Sequence, residues 1–169
     1  MARVFVSIGS NIDKENNIRG AARALDELYH PLIVSAVYES ASQGFRGENF
    51  YNLAVGFDCQ ESIESLRAVL ASIENSFGRR RDGKRFSSRT LDLDLLLYDD
   101  VVRHDDAIKL PHPDIEKYAY VLRPLAEIAP TQRHPEIGLT FAQMWKNFSG
   151  EDQTLNAVEL NLDKTTTRD

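Results

Sequence analysis

Cysteine is almost absent, with Cys59 the only one in the chain. That excludes an intrachain disulfide and a disulfide-stapled secreted scaffold, so a reducing, cytoplasmic setting is the expectation. A zinc site lacks ligands as well, because Cys59 has no partner thiol and no HExxH pattern occurs. Long apolar runs are also missing. None approaches the ~20 residues of a membrane span. The opening segment Val4-Phe5-Val6-Ser7-Ile8 turns polar at Ser10-Asn11, too soon for a signal-peptide core. No internal repeat is found, nor any linker long enough to divide the chain.

What is present fits one globular domain. The 169 residues are 42% hydrophobic and 27% charged, within the ~100–200 residues of a typical domain. We expect a single domain over residues 1–148. A polar C-terminal tail follows over residues 149–169, with at least its last seven residues expected to be disordered. The net charge of −6 argues against broad nucleic-acid or membrane binding. The charge is uneven, however. Arg79, Arg80, Arg81, Lys84, Arg85 and Arg89 stand together against Asp82 alone, a local +5 that leaves −11 on the remainder. Concentrated positive charge on an acidic protein suggests a focused site for a compact polyanion.

Hydrophobic periodicity orders the elements. Val4 to Ile8 reads as a strand ending at the turn cluster Gly9-Ser10-Asn11. A helix follows, capped by Asp13 or Asn16, with Ile18, Ala21, Ala22, Leu25 and Leu28 on its apolar face, and His30-Pro31 stops it. Leu32 to Tyr38 and Asn52 to Phe57 read as an antiparallel strand pair around a long loop, Ser40 to Asn49. Ser62 or Glu61 opens a second helix along Ile63, Leu66, Val69, Leu70, Ile73 and Phe77, closed by Gly78. After the arginine-rich loop, Leu91 to Tyr98 is the fourth strand. Val121 to Ile128 and Phe141 to Trp145 supply later helical pieces. Strand–helix–strand–strand–helix–strand is the ferredoxin-like order, so the class is α+β: a three-layer αβα sandwich around a mainly antiparallel sheet.

The fourth strand carries the chemistry. Alternation puts Leu91, Leu93, Leu95 and Leu97 on one face and Asp92 and Asp94 on the other. The two carboxylates leave the backbone about 7 Å apart and can converge on divalent ions at the ~3.5–4 Å spacing of two-metal sites. Mg²⁺ takes one or two carboxylates together with phosphate oxygens, and arginines beside the strand supply the guanidinium forks that phosphates favour. Two plainer readings stay open at this level: a solvated strand face and a solvated charge run. Gly78 to Lys84 matches GxxxxGK by letter only. A helix precedes it and Arg85 stands where a P-loop needs Ser or Thr.

In this order Ile8-Gly9-Ser10-Asn11, Asn52-Leu53-Ala54-Val55, Ile73-Glu74 with Gly78-Arg79-Arg80-Arg81, Arg89-Thr90-Leu91-Asp92-Leu93-Asp94, Pro111-His112-Pro113 and Val121-Leu122-Arg123-Pro124-Leu125 resemble the 6-hydroxymethyl-7,8-dihydropterin pyrophosphokinase family of folate biosynthesis. The likeness runs from about Arg3 to Pro130. It implies magnesium-dependent transfer of pyrophosphate from ATP to the pterin hydroxymethyl group, with AMP released, two Mg²⁺ ions as cofactors, and a monomer. It implies Asp92 and Asp94 as metal ligands and Arg79, Arg81 and Arg89 as catalytic cations. Glu74, Arg89, Leu95 and His112 fall on the ATP side. Phe50 and Tyr120 sandwich the pterin, with Asn52 on its edge, Ser40 beside it and Phe86 as an aromatic cover.

The chain departs from the family pattern at Phe86-Ser87-Ser88 (usually Trp-Gly-Pro), at Tyr118 (an arginine), at Ala107 and Lys109 on the adenosine side, and at Ala41 and Gln43 beside the pterin. Two other readings therefore stand beside the first. One is a divergent paralogue acting on another heterocyclic alcohol. The other is a non-catalytic ferredoxin-like module binding RNA or protein through Arg79–Arg89.

Overall fold

The computed structural model describes residues 1–41, 49–77, 91–150 and 153–162. Its first part runs β1 (Ala2–Ser10), α1 (Lys14–Tyr29), β2 (Ile33–Val34), β3 (Val37–Ser40), β4 (Phe50–Cys59), α2 (Ile63–Phe77) and β5 (Asp92–Tyr98). The main strands lie in the order β5-β1-β4-β3, and each neighbouring pair is antiparallel. With β2 and β3 counted as one interrupted strand, this is the fourth-first-third-second order of the ferredoxin-like motif.

The second part adds the hairpin β6 (Arg103–His104) and β7 (Lys109–Leu110), then α3 (Asp114–Lys117), α4 (Ala119–Ile128), α5 (Phe141–Lys146) and β8 (Leu155–Val158). Among the described residues no helix is long and apolar enough to cross a membrane.

Two cores lie on opposite faces of the sheet. Alternating side chains Val4, Val6 and Ile8 of β1, with Leu53, Val55 and Phe57 of β4, meet Ile18, Ala21 and Leu25 of α1 and Leu66, Leu70 and Ile73 of α2. Phe5, of opposite parity, joins Ile115, Val121, Leu122, Leu125, Phe141 and Met144 from α3, α4 and α5. The result is the expected three layers.

Local chemistry decides the details. Ser62 caps α2, its Oγ accepting the Ser65 N–H at 3.1 Å. Asp13 occupies the cap position of α1 in the left-handed region, φ 46°. Its carboxylate accepts from the Asn16 side chain, Nδ2, at 3.0 Å and makes no capping bond to a helix backbone N–H. Leu28, expected on the apolar face, is 58% exposed. Helix α1 has carried it round past the edge of the core by its last turn.

Four further differences concern the strands. β1 continues through Gly9 and Ser10, which pair with Asn52 and Tyr51. The second strand is broken at Ser35, whose Oγ accepts the Ala54 N–H at 2.9 Å and donates to Ala36 O at 2.8 Å. The alternation of β5 also fails at its far end. Phe5 pairs with Leu97 and Val6 with Leu95, so Leu96 is an inserted residue. A bulge of this kind reverses parity. Leu91, Leu93 and Leu95 enter one core while Leu96 and Leu97 enter the other, so Leu97 does not share the face of the other three leucines. Finally, the polar stretch after Ser149 contributes β8, paired antiparallel with β3.

Candidate active site

Strand parity assembles one face of the site. Asp92 pairs with Gly9 and Asp94 with Ser7 across the β1–β5 ladder, while Gly9 pairs with Asn52 and Ser40 with Phe50 on the other side. Cross-strand partners share a face, and residues two apart on one strand do too. Asp92, Asp94, Ser7, Gly9, Phe50, Asn52 and Ser40 therefore project from one side of the sheet. The small residues of β1 between the carboxylates and the amide leave the floor of a cavity open. Tyr120 and Val121 of α4 supply the remaining wall, and Asp114 and Ala41 complete the lining. The cavity has a volume of about 270 Å³.

Its polar groups are held firmly. Asn52 is buried, and its Nδ2 donates to Ser40 Oγ at 2.8 Å. The amide keeps one further N–H and its carbonyl oxygen for a ligand edge. Gly9 is needed beneath it, because a Cβ there would stand 3.1 Å from Asn52 Oδ1. Tyr120 stacks on Tyr118 with ring centroids 5.0 Å apart, which fixes its ring plane. Burial, followed by the charges of Asp114, Asp94 and Asp92, pushes the Tyr120 phenol up to about 12. It is a neutral hydroxyl at physiological pH.

A second cavity, of about 390 Å³, lies on the other side of Asp94. Its walls come from α2 (Arg67, Leu70, Ala71 and Glu74), from Leu93 to Leu95 of β5, from residues 107–110, and from His112 and Pro113. His112 is half-buried. Its Nδ1 accepts the Asp114 N–H at 3.1 Å, so the ring proton belongs on Nε2 and that nitrogen is a donor. The His112 backbone N–H donates to Leu96 O at 3.0 Å, tying the Pro111-His112-Pro113 segment to the aspartate strand. Asp94 lines both cavities and Asp92 only the smaller one.

The residues expected in the site thus separate into two groups. Ser40, Phe50, Asn52 and Tyr120 meet in the smaller cavity with both aspartates, and Glu74, Leu95 and His112 meet in the larger. Arg79, Arg81, Phe86, Arg89 and Gln43 lie outside the described residues. Sequence reasoning missed Ser7, Asp114 and Val121 in the smaller cavity and Arg67 and Ala71 in the larger. Asp114 had a signal, as the acid directly after Pro111-His112-Pro113. Ser7 and Arg67 had none, since a strand serine and a helix-surface arginine are commonplace.

Residues 5–130 match the family described as 7,8-dihydro-6-hydroxymethylpterin-pyrophosphokinase. The chain is 34% identical over 137 residues to the 2-amino-4-hydroxy-6-hydroxymethyldihydropteridine pyrophosphokinase of Aquifex aeolicus, covering 80% of this chain and 85% of that protein. It is 31% identical over 163 residues to the Bacillus subtilis protein of the same name, covering 90% and 96%. Among solved structures it is similar to wild-type Plasmodium falciparum HPPK-DHPS with STZ-DHP. The TM-score is 0.71 at 11% identity, with 87% of this chain and 43% of that one covered. That likeness speaks for the fold, and the chain spans less than half of the solved protein.

Proposed function

The chain belongs to the 7,8-dihydro-6-hydroxymethylpterin-pyrophosphokinase family, and from that premise we infer how its two cavities divide the reaction. The activity is ATP-dependent transfer of pyrophosphate to 6-hydroxymethyl-7,8-dihydropterin in folate biosynthesis. In our reading the smaller cavity takes the pterin and the larger takes ATP. The observation that carries this is the position of Asp94, which lines both cavities, with Asp92 beside it on the pterin side.

The pterin ring is flat and polar. Phe50 and Tyr120 hold its faces, and the Asn52 amide, braced by Ser40, reads its edge. A hydroxymethyl group held this way points toward the carboxylates. Its oxygen attacks the β-phosphorus of ATP, the bond from that phosphorus to the α-side bridging oxygen breaks, and AMP leaves. Asp92 accepts the hydroxyl proton. His112 Nε2–H donates to a phosphate oxygen, and Leu95 borders the nucleotide. Such a transfer depends on positioning and charge neutralisation more than on covalent help. The arginines Arg79, Arg81 and Arg89 supply further neutralisation in this reading, and Phe86 covers the pterin.

Magnesium fits the donors present. Asp92 and Asp94 offer oxygen ligands alone from one strand face. Among the described residues no cluster of three or more His, Cys, Asp or Glu side chains could hold a metal ion. A pair of carboxylates completed by phosphate oxygens suits Mg²⁺, which rarely sits in an all-protein cage. Asp92 and Asp94 would hold Mg²⁺, which would supply neutralisation of phosphate charge and a more acidic hydroxyl.

The test is product analysis. ATP and 6-hydroxymethyl-7,8-dihydropterin should give AMP and the pterin diphosphate in equal amounts, whereas ADP would mark an ordinary kinase. Asp92→Ala and Asp94→Ala should each lower kcat by more than the ~10–100-fold cost of losing a supporting partner of a metal ligand, with circular dichroism unchanged. Near-normal turnover in either variant would refute the assignment of that carboxylate.

A further inference from the structure

The strand that carries both aspartates is the edge of the sheet, with β1 as its only strand neighbour among the described residues. Outward-facing amides and carbonyls of an edge strand need partners from elsewhere. Two are supplied. Leu96 O accepts the His112 N–H at 3.0 Å, and the Leu93 N–H donates to Glu74 Oε2 at 2.7 Å. Leu93 is the residue between the two aspartates, and 2.7 Å is the short distance of a hydrogen bond to a charged acceptor.

We propose that Glu74 is a positioning residue, setting the aspartate pair through the Leu93 backbone rather than by acting on the nucleotide. The Leu93 N–H lies in the plane of the Asp92–Leu93 peptide. A carboxylate that fixes this plane restricts the rotations on either side of it, and with them the directions in which the Asp92 and Asp94 side chains leave the strand. The restraint comes from a rigid source. Ile73, the residue before Glu74, and Leu70, one turn earlier, are buried in the core beneath the sheet. One bond thus transmits the seating of α2 to the reacting end of β5. Glu74, Leu93 and Asp94 line one cavity, so a shift of this peptide moves the carboxylate common to both cavities. This rests on the roles given above to Asp92 and Asp94.

Glu74→Gln keeps an oxygen acceptor and removes the charge, while Glu74→Ala removes both. Amide hydrogen exchange at Leu93, followed by ¹⁵N NMR in the ligand-free protein, reads the bond directly. AMP release reads kcat, KM for ATP and the Mg²⁺ half-saturation point. In Glu74→Ala, Leu93 exchange should quicken and kcat should fall, each by about 10- to 100-fold as for a lost hydrogen bond to a charged group, with KM for ATP nearly unchanged. Glu74→Gln should keep Leu93 protected and recover most of kcat. Should Glu74→Ala not fold, Glu74→Gln is judged against the wild type: a protected Leu93 with near-normal kcat supports the proposal, and a protected Leu93 with kcat down about 10-fold or more overturns it.

The proposal is overturned if Glu74→Gln loses as much kcat as the alanine variant while Leu93 stays protected, since the charge would then be acting elsewhere than on the Leu93 N–H. It is equally overturned if Leu93 exchange in Glu74→Ala matches that of the wild type. If the wild-type protein releases no AMP the assignment of substrates fails, and the exchange comparison still judges what Glu74 holds.

Discussion

Gly9 shows how much a missing side chain can matter. It lies between Asp92 and Asn52 in the sheet register, and a Cβ there would approach Asn52 Oδ1 to 3.1 Å. Gly9→Ala should displace the amide by a few tenths of an ångström and raise KM for the pterin several-fold. That stays below the ~10²-fold that a 1 Å misplacement can cost. KM for ATP should stay constant, because Gly9 does not border the larger cavity. Equal changes in both constants would contradict the division of the cavities. Asp92 and Asp94 were legible in the sequence because strand alternation dictates a shared face whatever the tertiary context. Gly9 was legible as a turn signal and as part of a family-like segment, but its task in the site depends on a partner 43 positions away in the register. No local pattern encodes that.

At the scale of elements, helices α1 and α2 and the strand order followed from periodicity, while the irregularities did not. The break at Ser35 is stabilised by bonds to Ala54, and the leucine run 95–97 reads equally well as a straight strand. The turn between α4 and α5 was not anticipated either. It is organised by His134, which is 2% exposed and accepts the Glu136 and Ile137 N–H groups on Nδ1 at 3.2 and 3.1 Å. Burial holds its pKa below the ordinary 6.5, against the opposing pull of Glu116 and Glu136. As pH falls, the unfolded chain therefore binds this proton before the folded one does. The stability contributed by neutral His134 is complete above about pH 6.5 and declines from there down to the folded-state value. His134→Asn keeps a short acceptor for turn amides and does not titrate. Urea unfolding at pH 8 and pH 5 should show a larger loss in the wild type than in this variant, and parallel losses would rule His134 out as a source.

Over the whole molecule, the polar tail is part of the architecture. Beyond the β8–β3 pairing, which sets Leu155 opposite Ser40, Gln153 accepts the Ala119 N–H at 2.6 Å and donates to Lys117 O at 2.9 Å. These contacts flank Tyr120 and brace the Ser40 side of the smaller cavity. Ending the chain at Gly150 should lower stability by about 1–3 kcal/mol through the lost hydrogen bonds and raise KM for the pterin while sparing that for ATP. A pterin KM untouched by truncation would sever the tail from the site. The inserted Leu96 bears on the molecule in a different way. A strand repeating every two residues has only two phases, and a single extra position switches between them. Leu93 and Leu95 keep one phase, which leaves both acids wet, while Leu97 takes the other and enters the second core. Deleting Leu96 would force one phase on the entire edge. The chain could then keep its aspartates in water or its second core dry, but not both.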